Sequence, residues 1–308
     1  MEPRRVAPVL GLCALLAADA VLIGWAFRGT SVDPAGATAG RSVSSSASSA
    51  SPSVTGSSDA PAVKVTNLTR FVAPVGPEIA WVVESGTCDE PGTMWVTADG
   101  GGSWARTDLP GRVVRAKPSS VASGFVTGGD AKCALRLWNT GDAGESWSDP
   151  TGAEEAWSRQ PENDRDVHTP SDLVVKPCTD SEVVDLAPLD ARRARVLCLD
   201  GKVRATRDGG ETWPRETTVK GALAVGIAEG SQGVVVRADA SCAGGVLVSS
   251  LSQGRLGRGR CVAATPVTGR VAVASAGSTW WLVVGDAVFR ADAPTGPWTR
   301  TTADLGRG

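Results

Sequence analysis

Few residues of this chain are of types that could carry chemistry. It has 308 residues, with a single histidine (His168), no tyrosine, seven cysteines and eleven tryptophans. One imidazole permits one His-dependent nucleophile and leaves a multi-His metal site without ligands. A mechanism built on a tyrosine nucleophile is ruled out by composition. Cys13 lies in an apolar N-terminal run, leaving Cys88, Cys133, Cys178, Cys198, Cys242 and Cys261 further along. An even number of cysteines suggests disulfides if the chain is exported. Sequential pairing is expected. Cys178 with Cys198 and Cys242 with Cys261 would each close a short loop inside one unit, and Cys88 with Cys133 would join matching positions of neighbouring units. Buried free thiols are the alternative. A cysteine nucleophile beside His168 is conceivable, but the cysteines read better as disulfide partners.

The carboxylates fall into a pattern. Thr97-Ala98-Asp99-Gly100-Gly101-Gly102-Ser103-Trp104 recurs as Thr140-Gly141-Asp142-Ala143-Gly144-Glu145-Ser146-Trp147 and as Thr206-Arg207-Asp208-Gly209-Gly210-Glu211-Thr212-Trp213. The shared core is Asp-x-Gly-x-Ser/Thr-Trp: Asp99, Gly101, Ser103 and Trp104; Asp142, Gly144, Ser146 and Trp147; Asp208, Gly210, Thr212 and Trp213. The chemistry fits a tight turn. An Asp side chain accepts hydrogen bonds from its own turn, and glycine takes positive φ without steric cost. The hydroxyl can tie the far side, and the Trp buries a large apolar surface. These carboxylates are expected to hold the fold rather than to catalyse.

The pattern resembles the Asp-box, or bacterial neuraminidase repeat, of β-propeller proteins. Its texture of hydrophobic-Trp strands is similar to propellers of the photosystem II stability/assembly factor type. The second resemblance implies an exported scaffold or assembly factor. The first brings in sialidases, whose activity implies a Tyr nucleophile, an arginine triad and an acidic proton donor. With no Tyr, a sialidase of that kind is excluded. Another glycosidase would need two carboxylates about 5–10 Å apart at one site. The segments expected to be innermost carry Asp185 as their only carboxylate. No catalytic residue, cofactor or metal ligand is therefore expected.

Spacing sets the architecture. Trp104 and Trp147 stand 43 residues apart, and Trp147 and Trp213 stand 66 apart, which implies a 23-residue insertion. Degenerate copies fall at residues 249–256, ending on Leu256, and at residues 291–298, ending on Trp298. A four-stranded blade takes roughly 40–45 residues. The expectation is an all-β, five-bladed β-propeller over residues 62–308 with an insertion near 151–175; six blades result if the insertion hides one that lost its box. Short β-branched or aromatic runs at residues 79–83, 123–126, 195–198, 233–236 and 280–284 fit second strands. Runs at 112–115, 183–186 and 270–273 would be innermost. Residues near 63–71 are expected to complete the last blade and close the ring.

The N-terminus fixes an expected location. Arg4 and Arg5 precede an apolar run at residues 6–27 broken only by Asp19, long enough to span a bilayer of roughly 30 Å. The positive-inside rule makes residues 1–28 a cytoplasmic tip and signal anchor, with the propeller outside. Cleavage near Ala20 and secretion is the alternative. Residues 29–61 read as a linker, and ten of the seventeen residues from 42 to 58 are Ser. A net charge of −2 gives no footprint for nucleic acid. The expected partner is an unknown envelope protein or glycan. Candidate contacts are Glu154, Glu155, Trp157, Asp164, Asp166 and His168 in the long polar loop. Trp81, Trp280 and Trp281 are alternative contacts at the central face, although core packing suits them better.

Overall fold

The computed structural model describes residues 64–306; the apolar run and the Ser-rich stretch lie outside them. No helix among the described residues is long and apolar enough to cross a membrane. Twenty-two strands form six separate antiparallel sheets, each with its strands in chain order. Blade one holds β1 (Arg70–Pro74), β2 (Ala80–Glu84), β3 (Thr93–Thr97) and β4 (Ala105–Asp108). Blade two holds β5 (Arg112–Pro118), β6 (Gly124–Gly129) and β7 (Leu135–Thr140). Blade three holds β8 (Ser158–Arg159), β9 (Val167–His168) and β10 (Val174–Val175). Blade four holds β11 (Val183–Pro188), β12 (Ala194–Cys198), β13 (Lys202–Thr206) and β14 (Arg215–Thr218). Blade five holds β15 (Ala222–Ile227), β16 (Gly233–Arg237), β17 (Val246–Ser252) and β18 (Arg255–Val262). Blade six holds β19 (Val271–Ala276), β20 (Thr279–Val284), β21 (Ala287–Ala291) and β22 (Thr299–Arg300).

The first strands pack side by side in the order β1, β5, β8, β11, β15, β19 and back to β1. That closed circuit makes the domain a six-bladed β-propeller. The alternative of six blades holds and the count of five is corrected, for a physical reason. The expected insertion is blade three, whose strands are two residues each and carry no hairpin box, so it does not occupy a full period.

The buried Val/Leu/Trp face of each second strand explains why these segments are strands. β20 is buried at all six positions, and β12 at all five. Apolar residues on both faces suit a sheet packed between two neighbours. The degenerate copy at residues 249–256 is not a box. β17 and β18 meet in a two-residue turn, Gln253-Gly254, with both φ positive (50° and 73°), the geometry of a type I′ hairpin.

Ring closure also differs from expectation. Residues 70–71 open blade one, and β22 completes blade six from the C-terminal side, so no strand is exchanged between the ends of the chain. The seam is instead held by side chains and by main-chain bonds from the Thr69 and Arg70 N–H groups to the Gly269 carbonyl. Buried Arg70 bonds Glu84 (2.6 Å) and crosses to Asp286 (2.7 Å) and the Gly285 carbonyl (2.6 Å), and it lies over the Trp95 ring. Trp281 is fully buried, meets Trp104 edge-on at 6.3 Å, and donates to the Gly76 carbonyl.

All three disulfides form in the expected sequential pairing. Cys88–Cys133 joins the β2–β3 loop of blade one to the β6–β7 loop of blade two. Cys242–Cys261 lies within blade five. Cys178–Cys198 is placed differently from the expectation of a bridge inside one unit: it ties the connector from blade three to β12 of blade four.

Candidate functional site

The three repeated turns leave the third strands β3, β7 and β13 and are built alike. Thr97 Oγ1 donates to Asp99 Oδ1 (2.8 Å) and accepts from the Gly101 N–H (2.9 Å). Asp99 also accepts from the Ser103 N–H (3.0 Å) and the Ser103 hydroxyl (2.7 Å). Asp142 is bound in the same way by Thr140 and Ser146, and Asp208 by Thr206 and Thr212. These donors pull Asp142 down to about 2, the Ser146 hydroxyl leading. Asp99 and Asp208 fall below the usual carboxylate range, led by the Ser103 and Thr206 hydroxyls respectively. The threonine two residues before each Asp belongs to the turn although it lies outside the Asp-x-Gly-x-Ser/Thr-Trp core. Its recurrence in all three copies is the signal that marks it.

The motif glycine meets two demands at once. Gly101, Gly144 and Gly210 have φ of 86°, 88° and 99°. A β-carbon on Gly210 would also lie 2.7 Å from Thr169 Cγ2 of blade three. The tryptophans then bridge blades. Trp147 donates to the Asp108 carbonyl of blade one, and Trp213 meets Trp157 of blade three edge-on at 5.8 Å. Trp298 packs into the core between blades five and six. The motif residues are thus turn and inter-blade fasteners, with every motif carboxylate occupied locally.

The expected partner loop is corrected by its burial. Trp157 and His168 are inside blade three: Trp157 donates to the Asp190 carbonyl, and His168 bonds the Ala156 carbonyl and Asp172. Asp164 pairs with Arg112 (3.5 Å) and its carbonyl accepts from Val183 N–H, docking the loop between blades two and four. Asp166 is half-buried and bonded to Asn163, while Glu154 and Glu155 alone of the six are exposed. Trp81, Trp280 and Trp281 are core residues, and all six cysteines among the described residues are in disulfides, which leaves no thiol to pair with the imidazole.

The innermost strands of all six blades instead surround a central cavity of about 180 Å³. Its walls are mainly Val, Ala, Leu, Ile and Pro, and its charged residues are Arg115 on β5, Arg159 on β8 and Asp185 on β11. Bulges position two of them. The pairing of β5 with β6 shifts between Val113 and Arg115, and that of β11 with β12 shifts between Val183 and Asp185. An extra residue in a strand re-aims the side chain after it. Arg115 and Asp185 accordingly occupy corresponding positions in blades two and four. Both arginines escape sequence reasoning, although Arg115 lies in a run expected to be innermost.

Their electrostatics are those of charge held in an apolar place. Burial raises Asp185 to about 6, against the opposing Val225 N–H (2.9 Å) and the positive charge of Arg159. Burial draws Arg115 down to about 10, so it stays cationic at neutral pH, and it lowers Arg159 as well. Arg115 donates to the Trp157 carbonyl (2.9 Å) and Arg159 Nη2 to the Leu68 carbonyl (2.8 Å). Neither guanidinium forms an ion pair among the described residues.

No family model matches the chain, and no curated protein matches it. Among solved structures it is similar to YCF48 bound to D1 peptide, at 14% identity and a TM-score of 0.41, over 78% of this chain and 83% of that one. It is similar to the Aleuria aurantia lectin in complex with Fucα1-6GlcNAc, at 10% identity and a TM-score of 0.49, over 79% and 97%. A third similar structure is the RRP9 WD40 repeats, at 9% identity and a TM-score of 0.42, over 75% and 76%. Likeness at this level assigns no residue a role, and the propeller rests on the strand pairings described above.

Proposed function

We propose that this chain is a membrane-anchored, extracytoplasmic Asp-box propeller that works by binding, as a scaffold for another envelope component, with the central cavity as its recognition site. One observation carries the reading: the cavity presents two arginines but a single carboxylate, Asp185. Glycoside hydrolysis by an acid pair needs a second carboxylate about 5–10 Å away. The carboxylates of the repeats are held in their turns. Three disulfides favour an oxidising compartment. The 22-residue apolar run at residues 6–27 supports the anchor.

The test is to present the full chain, in detergent micelles, with a glycan array and a panel of fluorogenic glycosides. Sugar release at background is expected. Release that Asp185→Asn abolishes would overturn the binding reading in favour of catalysis.

A further inference from the structure

We infer that the central cavity is a site for a small carboxylate carried on an apolar body, held by Arg159 and Arg115. The inference rests on the binding reading above and names its ligand class. Arg159 is only 5% exposed and lines the cavity, yet its Nη1 has no hydrogen-bond partner. A buried donor without a partner costs free energy, and on a charged group the cost is larger. Arg115 lines the same space with one backbone acceptor. The single carboxylate offsets at most one of the two guanidinium charges, and Asp185 already accepts from the Val225 N–H. A planar guanidinium fork matches a carboxylate in geometry and charge.

The rest of the wall selects the ligand's body. Phe71, Leu68, Ile227 and Val273 are typical of the lining. A volume of about 180 Å³ is close to the ~150 Å³ of an apolar cavity that takes up a benzene-sized guest, which suits an acid of a few carbons. Apolar side chains around a few placed charged groups are the pattern of small-molecule sites. A phosphate would leave those walls facing a strongly hydrated ion.

The test uses the full chain in detergent micelles with isovalerate as the probe, against isovaleramide, phosphate and chloride at matched ionic strength. Isovalerate is expected to bind saturably by calorimetry and to raise the unfolding midpoint by roughly 5–10 °C at about a hundredfold excess over Kd. The neutral amide is expected to do neither. Arg159→Met should abolish the response and Arg115→Met weaken it severalfold. The titration of wild-type protein with acid against amide stands without any variant. The inference is overturned if isovalerate produces no saturable response or the amide serves as well. It is equally overturned if phosphate alone binds or Arg159→Met responds like wild type. Such a failure removes the ligand class and leaves the binding reading standing, since glycoside turnover tests that reading separately.

Discussion

Asp185→Asn is expected to stabilise the propeller at neutral pH. In the folded chain burial raises this carboxyl from 3.8 to about 6, so the folded state holds its proton more tightly than the unfolded state does. A raised folded value means that the associated stability is fully present below pH 3.8 and is lost as pH rises through 6. Two pH units correspond to about 3 kcal/mol of destabilisation above pH 7. Asparagine mimics the protonated form in shape and keeps an oxygen for the Val225 N–H, so the variant is spared that loss. Urea unfolding of both proteins from pH 4 to pH 8 isolates the group by difference. The variant should gain roughly 2–3 kcal/mol at pH 8, and the gain should shrink towards zero near pH 4. A difference that is flat across this range, or a loss at pH 8, would refute the claim that burial dominates over Arg159's charge.

The disulfides and the repeated turns can be tested in the same way. Replacing both Cys88 and Cys133 by Ser should cost about 4 kcal/mol by loop-closure entropy across their 45-residue separation, against about 3 kcal/mol for the 19-residue Cys242–Cys261 pair, measured by denaturant unfolding. Gly210→Ala forces a side chain into φ 99° and against Thr169, and should lose about 2–3 kcal/mol. Ala143 holds φ 61° where the other two turns carry Gly100 and Gly209, so Ala143→Gly should gain about 0.5–1 kcal/mol, both changes being read by thermal or urea unfolding. The lowered carboxyls of Asp99, Asp142 and Asp208 stabilise the fold above their unfolded value of 3.8, so melting temperature should drop as pH falls from 4 towards 2, and circular dichroism would track it.

The turns, strands and cysteine pairing were legible because each depends on local chemistry. The Asp-x-Gly-x-Ser/Thr-Trp hairpins close through bonds at most four residues long, so the sequence contains the whole unit. Blade three was not legible as a blade. Its two-residue strands are too short to show alternation, and they bury polar residues whose partners come from elsewhere: Arg159 from the Leu68 carbonyl, Ser158 from Thr127. Ring closure was hidden for the same reason, since Arg70 and Trp281 act on residues more than 200 positions away. Arg115 was hidden because which side chain faces the axis depends on the bulge at Val114, and a bulge leaves no mark in hydrophobic periodicity, while Arg159 was hidden with the rest of blade three.

Whether this molecule works by binding at its central cavity is best measured by amine-reactive crosslinking of the full chain in intact cells, with mass spectrometry as the readout. Lys117 is exposed on β5, two residues beyond Arg115, and supplies a handle beside the cavity. A binding module predicts one reproducible adduct at Lys117, reduced severalfold when Arg115 and Arg159 are both replaced by Met. An adduct of equal yield in both proteins, or none at Lys117, would contradict it.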